Sequence, residues 1–496
     1  MLYQSTGRNT EKIKASEAII RGLSKDGGLF VPESFPNISG ETLTQLISKS
    51  YSERSAYIMG LFLDEFSQDE LGKFTGKAYN TKNFDTEKIA PLHAVNKNTF
   101  FLELWHGPTC AFKDMALQVM PYLLIESLRK NGDKHDVCVL VATSGDTGKA
   151  ALEGFRDIPG IKIMVFYPKD GVSEIQKLQM TSQSGDNVFV TAVEGNFDDT
   201  QTGVKRIFSD STVADALEKK GYLLSSANSI NWGRLVPQIV YYVSAYCDLI
   251  DNGTIKLGEK INFCVPTGNF GNILAGYYAH KIGLPINKLI CASNRNDVLT
   301  QFINTGAYDR NRTFYNTISP SMDILISSNL ERLIFELSGK DGDSIASYMS
   351  ALSDKGSYDV PEAVLDKIQS LFASGYCSEE DTKKAIADVW SKNGYLIDTH
   401  TAVAYKALND YKEKTGDESV SIVVSTASPY KFCESVLEAL GVSTEKSGVA
   451  LMDILFDYTK VTIPAPLAVL KNTKPRFPGS IKQDEMKSAV LQFPGG

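Results

Sequence analysis

Five histidines and seven cysteines are all that 496 residues offer to a transition metal. No H-x-x-x-H, no C-x-x-C and no mixed cluster of the two occurs, so a resident metal centre is not expected. The odd cysteine count, in contexts such as "DVCVLVA" and "NFCVPTG", gives no disulfide framework; these read as reduced core thiols of a cytoplasmic protein. No run of about 18 apolar residues occurs, and "MLYQSTGRNTEKIKASEAII" lacks a basic start followed by an apolar stretch. Neither a membrane span nor an export signal is therefore expected. Positive charge is in deficit, 51 Lys and Arg against 59 Asp and Glu, a formal net charge of -8. That excludes broad affinity for nucleic acid and leaves any anion site to a local pocket. Low-complexity linkers and internal repeats are absent as well.

What is present is ordinary globular composition, 43 % hydrophobic and 22 % charged, on a chain long enough for roughly two to four domains. From about residue 113 apolar β-rich runs alternate with helix-like segments: "VCVLVA" (137–142), "IKIMVFYP" (161–168), "NVFVTAV" (187–193), "INFCVPTG" (261–268), "KLICAS" (288–293) and "SIVVSTA" (421–427). Continuous apolar strands separated by helices predict parallel sheets covered on both faces, with ligands where strand C-termini meet helix N-termini. The first ~95 residues, mostly helical segments with a Gly-rich turn at "SKDGGLFVPESFP", read as a separate unit. Residues 296–400 read as a helical, polar elaboration of one α/β domain.

Four loops carry candidate chemistry. In "ATSGDTGKAALEGF" a strand ends at Ala142 and a helix opens after Ser144, Gly145, Asp146 and Thr147, whose backbone N–H groups and hydroxyls make a cradle for an anion. It is not a Walker A loop, because Thr143 stands five before Gly148 and Ala150 follows Lys149. A carboxylate is the better guest. In "VPTGNFGNILAGYY" Gly268 and Gly271 allow close approach of backbone to a single phosphate, with a helix from about Asn269 or Phe270; a tight strand-to-helix turn is the plain alternative. In "VVSTASPYKFCESV" Ser425, Thr426 and Ser428 follow a buried strand, where capping alone would explain them. In "LWHGPTCAFKDMALQ" Lys113 lies between Phe112 and an apolar helix. A solvated charge is the ordinary fate of a loop lysine, but desolvation there would lower its pKa and make it a nucleophile toward carbonyls. A Schiff-base lysine needs a phosphate cup and a carboxylate cradle, and the other loops supply both.

The stretches "DGGLFVP", "HGPTCAFKD", "ATSGDTG", "NSINWGRL", "VPTGNFGN", "SPSMDI", "DTHTAVA" and "STASPYKF", in this order through nearly the whole chain, resemble the threonine synthases of the longer class. These are fold-type II pyridoxal-phosphate enzymes. The resemblance implies two parallel-sheet α/β domains of the tryptophan synthase β-like kind behind a mostly helical N-terminal domain. It places that domain at 1–95 and a catalytic region at 96–496, the smaller α/β subdomain at about 131–230 and the larger at about 96–130 with 231–496.

It further implies that Lys113 carries pyridoxal 5'-phosphate as a Schiff base and then moves protons on the substrate. Phe112 would pack near the cofactor, Gly268, Asn269, Phe270, Gly271 and Asn272 would hold its phosphate, and Thr426 would offer a hydroxyl to the pyridine nitrogen. Ser144, Gly145, Asp146 and Thr147 would bind the substrate carboxylate. Arg234, helped by Ser229 and Asn231, would bind the distal phosphate of O-phosphohomoserine with its fork of donors. Asp146, an acid beside a phenolate, is expected to turn away or to bond a donor of its own loop. His106 and His400 have no assigned role. The implied reaction removes the α-proton and a β-proton, expels the γ-phosphate, adds water at the β-carbon and releases threonine, with the smaller domain closing over the substrate. A phospholyase releasing 2-oxobutyrate and ammonia is the nearest rival; a β-replacement enzyme or dehydratase and a non-catalytic binding protein are the others. One departure is visible: "YQSTGRNT" puts Gly7 between Thr6 and Arg8, where the family has S-T-R. A monomer and a homodimer both fit.

Overall fold

A computed structural model describes residues 1–170, 172–195 and 197–493. Gly171, Asn196 and residues 494–496 of the predicted catalytic region lie outside the described residues. All six apolar runs are strands, now bounded as Asp136–Ala142, Ile161–Pro168, Val188–Val193, Ile261–Pro266, Ile286–Ser293 and Ser421–Ser425. They divide evenly between two sheets. The larger runs in the order Phe372–Tyr376, Ile286–Ser293, Ile261–Pro266, Ser421–Ser425, Thr99–Glu103, Leu92–Asn96, parallel except at the last pair. The smaller runs Ser480–Ile481, Val188–Val193, Ile161–Pro168, Asp136–Ala142, Tyr222–Ser226, parallel throughout. The centre of the larger sheet, Ile261–Pro266, is buried at every residue, as expected for a parallel strand covered on both faces.

Three boundaries differ from those expected. Leu92–Asn96 pairs with Thr99–Glu103 as a hairpin of the larger sheet, so a cut at residue 95 would fall inside a strand. Phe372–Tyr376 makes the 296–400 segment a contributor to the larger sheet; its sequence FASGY has no β-branched residue, and pairing with Leu289–Ser293 is what holds it extended. The chain end belongs to the smaller sheet. Ser480–Ile481 extends it beside Val193, and the helix Met486–Gln492 buries Met486 and Val490 against Val204, Val213 and Leu217. The range 231–496 for the larger subdomain therefore gives up its last residues.

The N-terminal unit has the four helices Ala15–Arg21, Gly40–Ile47, Tyr51–Phe62 and Gln68–Ala78, and a small antiparallel sheet of Leu2–Ser5, Ile13–Lys14 and Phe30–Pro32. Ser50 with Glu53 and Ser67 with Glu70 form capping boxes that start the last two helices. This unit is locked to the long helix Trp232–Asp251. Buried Arg54 bonds Ser244 Oγ and Asp248 Oδ1 at 2.8 and 2.6 Å, and Trp232 packs against Tyr3 and Phe62 with ring centroids 5.1 and 5.8 Å apart. The two sheets meet where Glu103, Ala142, Pro266 and Ser425 end their strands, which brings all four candidate loops to one place.

Candidate active site

A cavity of about 880 Å³ opens at that junction, lined by loops of both sheets and by Arg21, Ser24, Gly27 and Leu29 of the N-terminal unit. Lys113 enters it from the loop after Thr99–Glu103. An antiparallel bridge between Ala111 and Ala427 fastens that loop to the end of the neighbouring strand: Phe112 N–H donates to Thr426 O at 2.8 Å and Ser428 N–H to Cys110 O at 3.1 Å. Asp114 closes the loop on itself by accepting from Thr109 N and Oγ1, both at 2.8 Å; burial holds its carboxyl up at about 7. The helix expected after Lys113 is two helices, Asp114–Leu117 and Met120–Lys130, the second with Pro121 in its first turn.

Lys113 is 8 % exposed, and its Nζ lies 4.5 Å from the Phe112 ring centroid. Burial pushes the ammonium below its ordinary range; Asp146 pulls it back, and the charges of Lys431 and Arg234 push it down again. Asp146 does not turn away, nor does it bond its own loop, as had been expected. Its Oδ2 takes Lys113 Nζ at 3.4 Å, while its Oδ1 takes Lys431 Nζ and Gln176 Nε2, each at 2.7 Å. The reason is electrostatic: a carboxylate this deeply buried is held ionised by cations. Burial alone would raise it, but Lys431 and Lys113 bring it far below the usual carboxylate range.

The helix Asp146–Phe155 presents Ser144, Asp146 and Thr147 to the cavity. Gly145 does not line it; with φ 141° it makes the turn that only glycine takes easily, and Thr143 Oγ1 accepts from its N–H at 3.0 Å. This corrects its assignment as a substrate ligand. Further along, a Cβ at Gly154 would lie 2.1 Å from Leu117 O, so absence of a side chain lets this helix rest on the helix that follows Lys113.

The run Gly268, Asn269, Phe270, Gly271 and Asn272 lines the cavity as a group. The helix opens at Gly271, with Phe270 in the left-handed region at φ 63° as its cap. Asn329 Nδ2 holds Asn269 O at 2.8 Å, and Ser327 Oγ holds Gly268 O at 2.8 Å. Tyr241 and Tyr242 donate to Asn272 Oδ1 at 2.6 and 2.9 Å, which aims the amide; its Nδ2 is buried and has no partner among the described residues. A dry donor without an acceptor, beside a helix start, fits an anion such as a cofactor phosphate.

Arg234 is a second case. The helix Trp232–Asp251 carries it in its first turn, buried, with Nη1 on Ala227 O at 2.8 Å and Nη2 on Thr147 Oγ1 at 3.3 Å. Its Nε has no partner among the described residues, and burial lowers the guanidinium to about 10. Ser229 lines the cavity and accepts from Asn329 Nδ2 at 3.0 Å. Asn231 does not line it. Its Oδ1 caps the helix by accepting from Gly233 N at 2.8 Å, and its Nδ2 donates to Ile19 O and Ser226 O, so both ends are spent on structure and the substrate role is withdrawn.

Thr426 lines the cavity, and no protein group bonds its hydroxyl among the described residues, whereas Ser425 Oγ is taken by Trp105 and Thr401. His400 also lines it. Ser321 N–H donates to its Nε2 at 3.1 Å and Asp398 Oδ1 faces its Nδ1 at 3.0 Å, so it holds the "SPSMDI" loop and carries its hydrogen on Nδ1. His106 lies outside, stacked on Trp105 between Asp85 and Glu103; burial opposes its charge, but the two acids outweigh that and raise it to about 9. Arg8 pairs with Asp343 at an exposed site, while Thr6 bonds Glu331 at the cavity wall. Sequence reasoning missed Lys431, Gln176 and Asn329. Only Lys431 left a signal, the lone cation of "SPYKFCESVLEAL", set between the aromatics Tyr430 and Phe432.

Three family models match: "Threonine synthase N terminus" over residues 2–79, "Pyridoxal-phosphate dependent enzyme" over 78–354, and "Threonine synthase, C-terminal" over 401–478. Human threonine synthase-like 1 is 41% identical over 470 residues, 92% of this chain; the chain spans 62% of that relative's length. Threonine synthase of Pseudomonas aeruginosa is 39% identical over 443 residues, 88% of this chain and 90% of its own. The pyridoxal-phosphate-bound threonine synthase from Brucella melitensis superposes with a TM-score of 0.88 at 36% identity, covering 100% of both chains.

Proposed function

The chain belongs to the threonine synthase family of pyridoxal-phosphate-dependent enzymes, and on that premise we propose that it converts O-phosphohomoserine and water to L-threonine and phosphate. One observation carries the reading. The cavity that holds the desolvated Lys113 amine contains two buried donors without protein partners among the described residues, Asn272 Nδ2 and Arg234 Nε. Two anion sites around one amine suit a phosphorylated cofactor and a phosphorylated substrate.

In this reading Lys113 would hold the cofactor, the segment 268–272 its phosphate, and Thr426 would offer a neutral hydroxyl to the ring, with Phe112 packing nearby. When bound, pyridoxal phosphate supplies an electron sink for the substrate's α-carbon. Ser144 and Thr147, at a helix N-terminus, bind the substrate carboxylate and fix which α-bond is broken. The Lys113 amine would take the α-proton and then the β-proton, and burial, which lowers its pKa, favours the neutral amine that such transfers need. Arg234 stabilises the γ-phosphate as negative charge grows on the departing oxygen. A proton delivered to the γ-carbon makes it the methyl group, water adds its hydroxyl at the β-carbon, and Lys113 returns the last proton to the α-carbon. His400 acts at a distance, keeping the 320–323 turn in place over the phosphate cup.

The test is to incubate the purified protein with O-phosphohomoserine and follow phosphate and the organic product together. Threonine released in step with phosphate is the expected result. Phosphate with 2-oxobutyrate would replace the synthase reading by the phospholyase, and no phosphate would overturn both.

A further inference from the structure

A lysine with no exposed surface sits beside the reactive one. Lys431 Nζ is 2.7 Å from Asp146 Oδ1 and donates to Thr109 O at 3.0 Å, while Lys113 Nζ reaches Asp146 Oδ2 at 3.4 Å. The shorter contact thus belongs to the lysine that lines no part of the cavity. The three charges come from three places: Asp146 opens the first helix of the smaller sheet, Lys431 lies in the turn Pro429–Phe432 after a strand of the larger, and Lys113 is on the loop beside that strand. Gln176 Nε2 completes the arrangement on Oδ1.

A buried carboxylate facing a single ammonium would grip it as a tight ion pair, and an ammonium has no lone pair with which to attack a carbonyl. A second cation on the same carboxylate absorbs part of that attraction and repels the first. We infer that Lys431 is a positioning residue for Lys113: by occupying Asp146 it lets that carboxylate orient the Lys113 side chain without locking it as an ammonium ion. The inference rests on the reading that Lys113 takes the cofactor. Arg234 is the other charge that bears on Lys113, and Asp114 follows it in the chain; among the described residues neither is bonded to Asp146, since Arg234 bonds Ala227 O and Thr147 Oγ1 and Asp114 bonds Thr109. Burial lowers the Lys113 ammonium, Asp146 raises it and Lys431 lowers it, in the sense the inference requires.

The test uses cofactor-stripped full-length protein between pH 6 and 10. Lys113 is labelled in two ways, by pyridoxal phosphate followed by borohydride and by trace acetic anhydride without cofactor, each mapped by peptide mass spectrometry. In Lys431→Met the midpoint of Lys113 reactivity should rise by about one pH unit or more, making labelling at pH 7 about tenfold slower. Lys431→Arg should stay near the parent protein. Asp146→Asn with Lys431→Met should return to the parent midpoint or below, which a purely structural role for Lys431 would not produce. An unmoved midpoint in Lys431→Met, or a raised one that persists in the double variant, overturns the inference. If Lys431→Met does not fold, Asp146→Asn alone is compared with the double variant: its Lys113 midpoint must lie lower, because Lys431 then repels the proton unopposed, and equal midpoints overturn the inference. Pyridoxal phosphate trapped on a residue other than Lys113 in the parent protein overturns the cofactor reading instead, while the anhydride label still decides the role of Lys431.

Discussion

In the proposed reading Arg234 is a charge that the fold tolerates and the substrate needs, so replacing it should move stability and activity in unlike ways. It is 4 % exposed, pairs with no carboxylate among the described residues, and leaves Nε without an acceptor. Burial brings its guanidinium down to about 10, a displacement from the ordinary range worth roughly 3 kcal/mol against the folded cation. That cost is present at every pH below about 10, where the group is charged in both states. The hydrogen bonds to Ala227 O and Thr147 Oγ1 repay part of it. Arg234→Met, which keeps most of the volume, should therefore leave unfolding free energy unchanged or raise it by up to about 2 kcal/mol. If its fork binds the substrate phosphate as proposed, losing those charge-assisted bonds should lower kcat/KM by about 10²- to 10³-fold. Arg234→Lys keeps the charge without the fork and should fall between. Denaturant titration and initial rates of phosphate release from O-phosphohomoserine read the two effects. A variant that loses several kcal/mol yet keeps kcat/KM would refute the reasoning and make Arg234 a structural residue.

Lys113→Ala should lose covalent cofactor and at least about a thousandfold of activity, while its thermal midpoint stays close to the parent because Lys431 and Gln176 still hold Asp146; retained borohydride-trappable cofactor would contradict it. Gly154→Ala should cost about 1–3 kcal/mol of stability, since a Cβ 2.1 Å from Leu117 O forces two backbones apart, whereas the helical substitution alone would stabilise; chemical denaturation decides the sign. His106 is raised to about 9 by Asp85 and Glu103, above its unfolded value of about 6.5, so its contribution is complete below about pH 6.5 and is lost as pH climbs through about 9. Unfolding free energy measured against pH should fall across that window, and His106→Gln should flatten that part of the curve.

What the sequence determined by itself was whatever local pattern encodes. Long apolar runs such as Ile161–Pro168 and Ile261–Pro266 are strands on any reading, and each loop of small residues after such a strand is a helix start with free donors. Lys113 was legible as a buried loop residue in this way, whereas Arg234, Asn272 and Thr426 became legible as cavity residues only through the motif order along the chain; by local pattern Arg234 reads as a surface residue of its helix and Thr426 as a cap. Short elements were not legible. Leu92–Asn96, Phe372–Tyr376 and Ser480–Ile481 are strands because a neighbour supplies the hydrogen bonds. Nor could the sequence separate cavity residues from their supports. Asn231 and Gly145 sit inside recognisable motifs, but one spends its amide on a helix cap and the other supplies a backbone turn. Only the tertiary structure decided the company of Asp146. Lys431 is 285 residues away in the chain and on the other sheet, and its meeting with Asp146 follows from how the two sheets are set together. Burial then settles the chemistry, because a carboxylate removed from water stays charged only where cations are brought to it, and those cations come from wherever the fold places them.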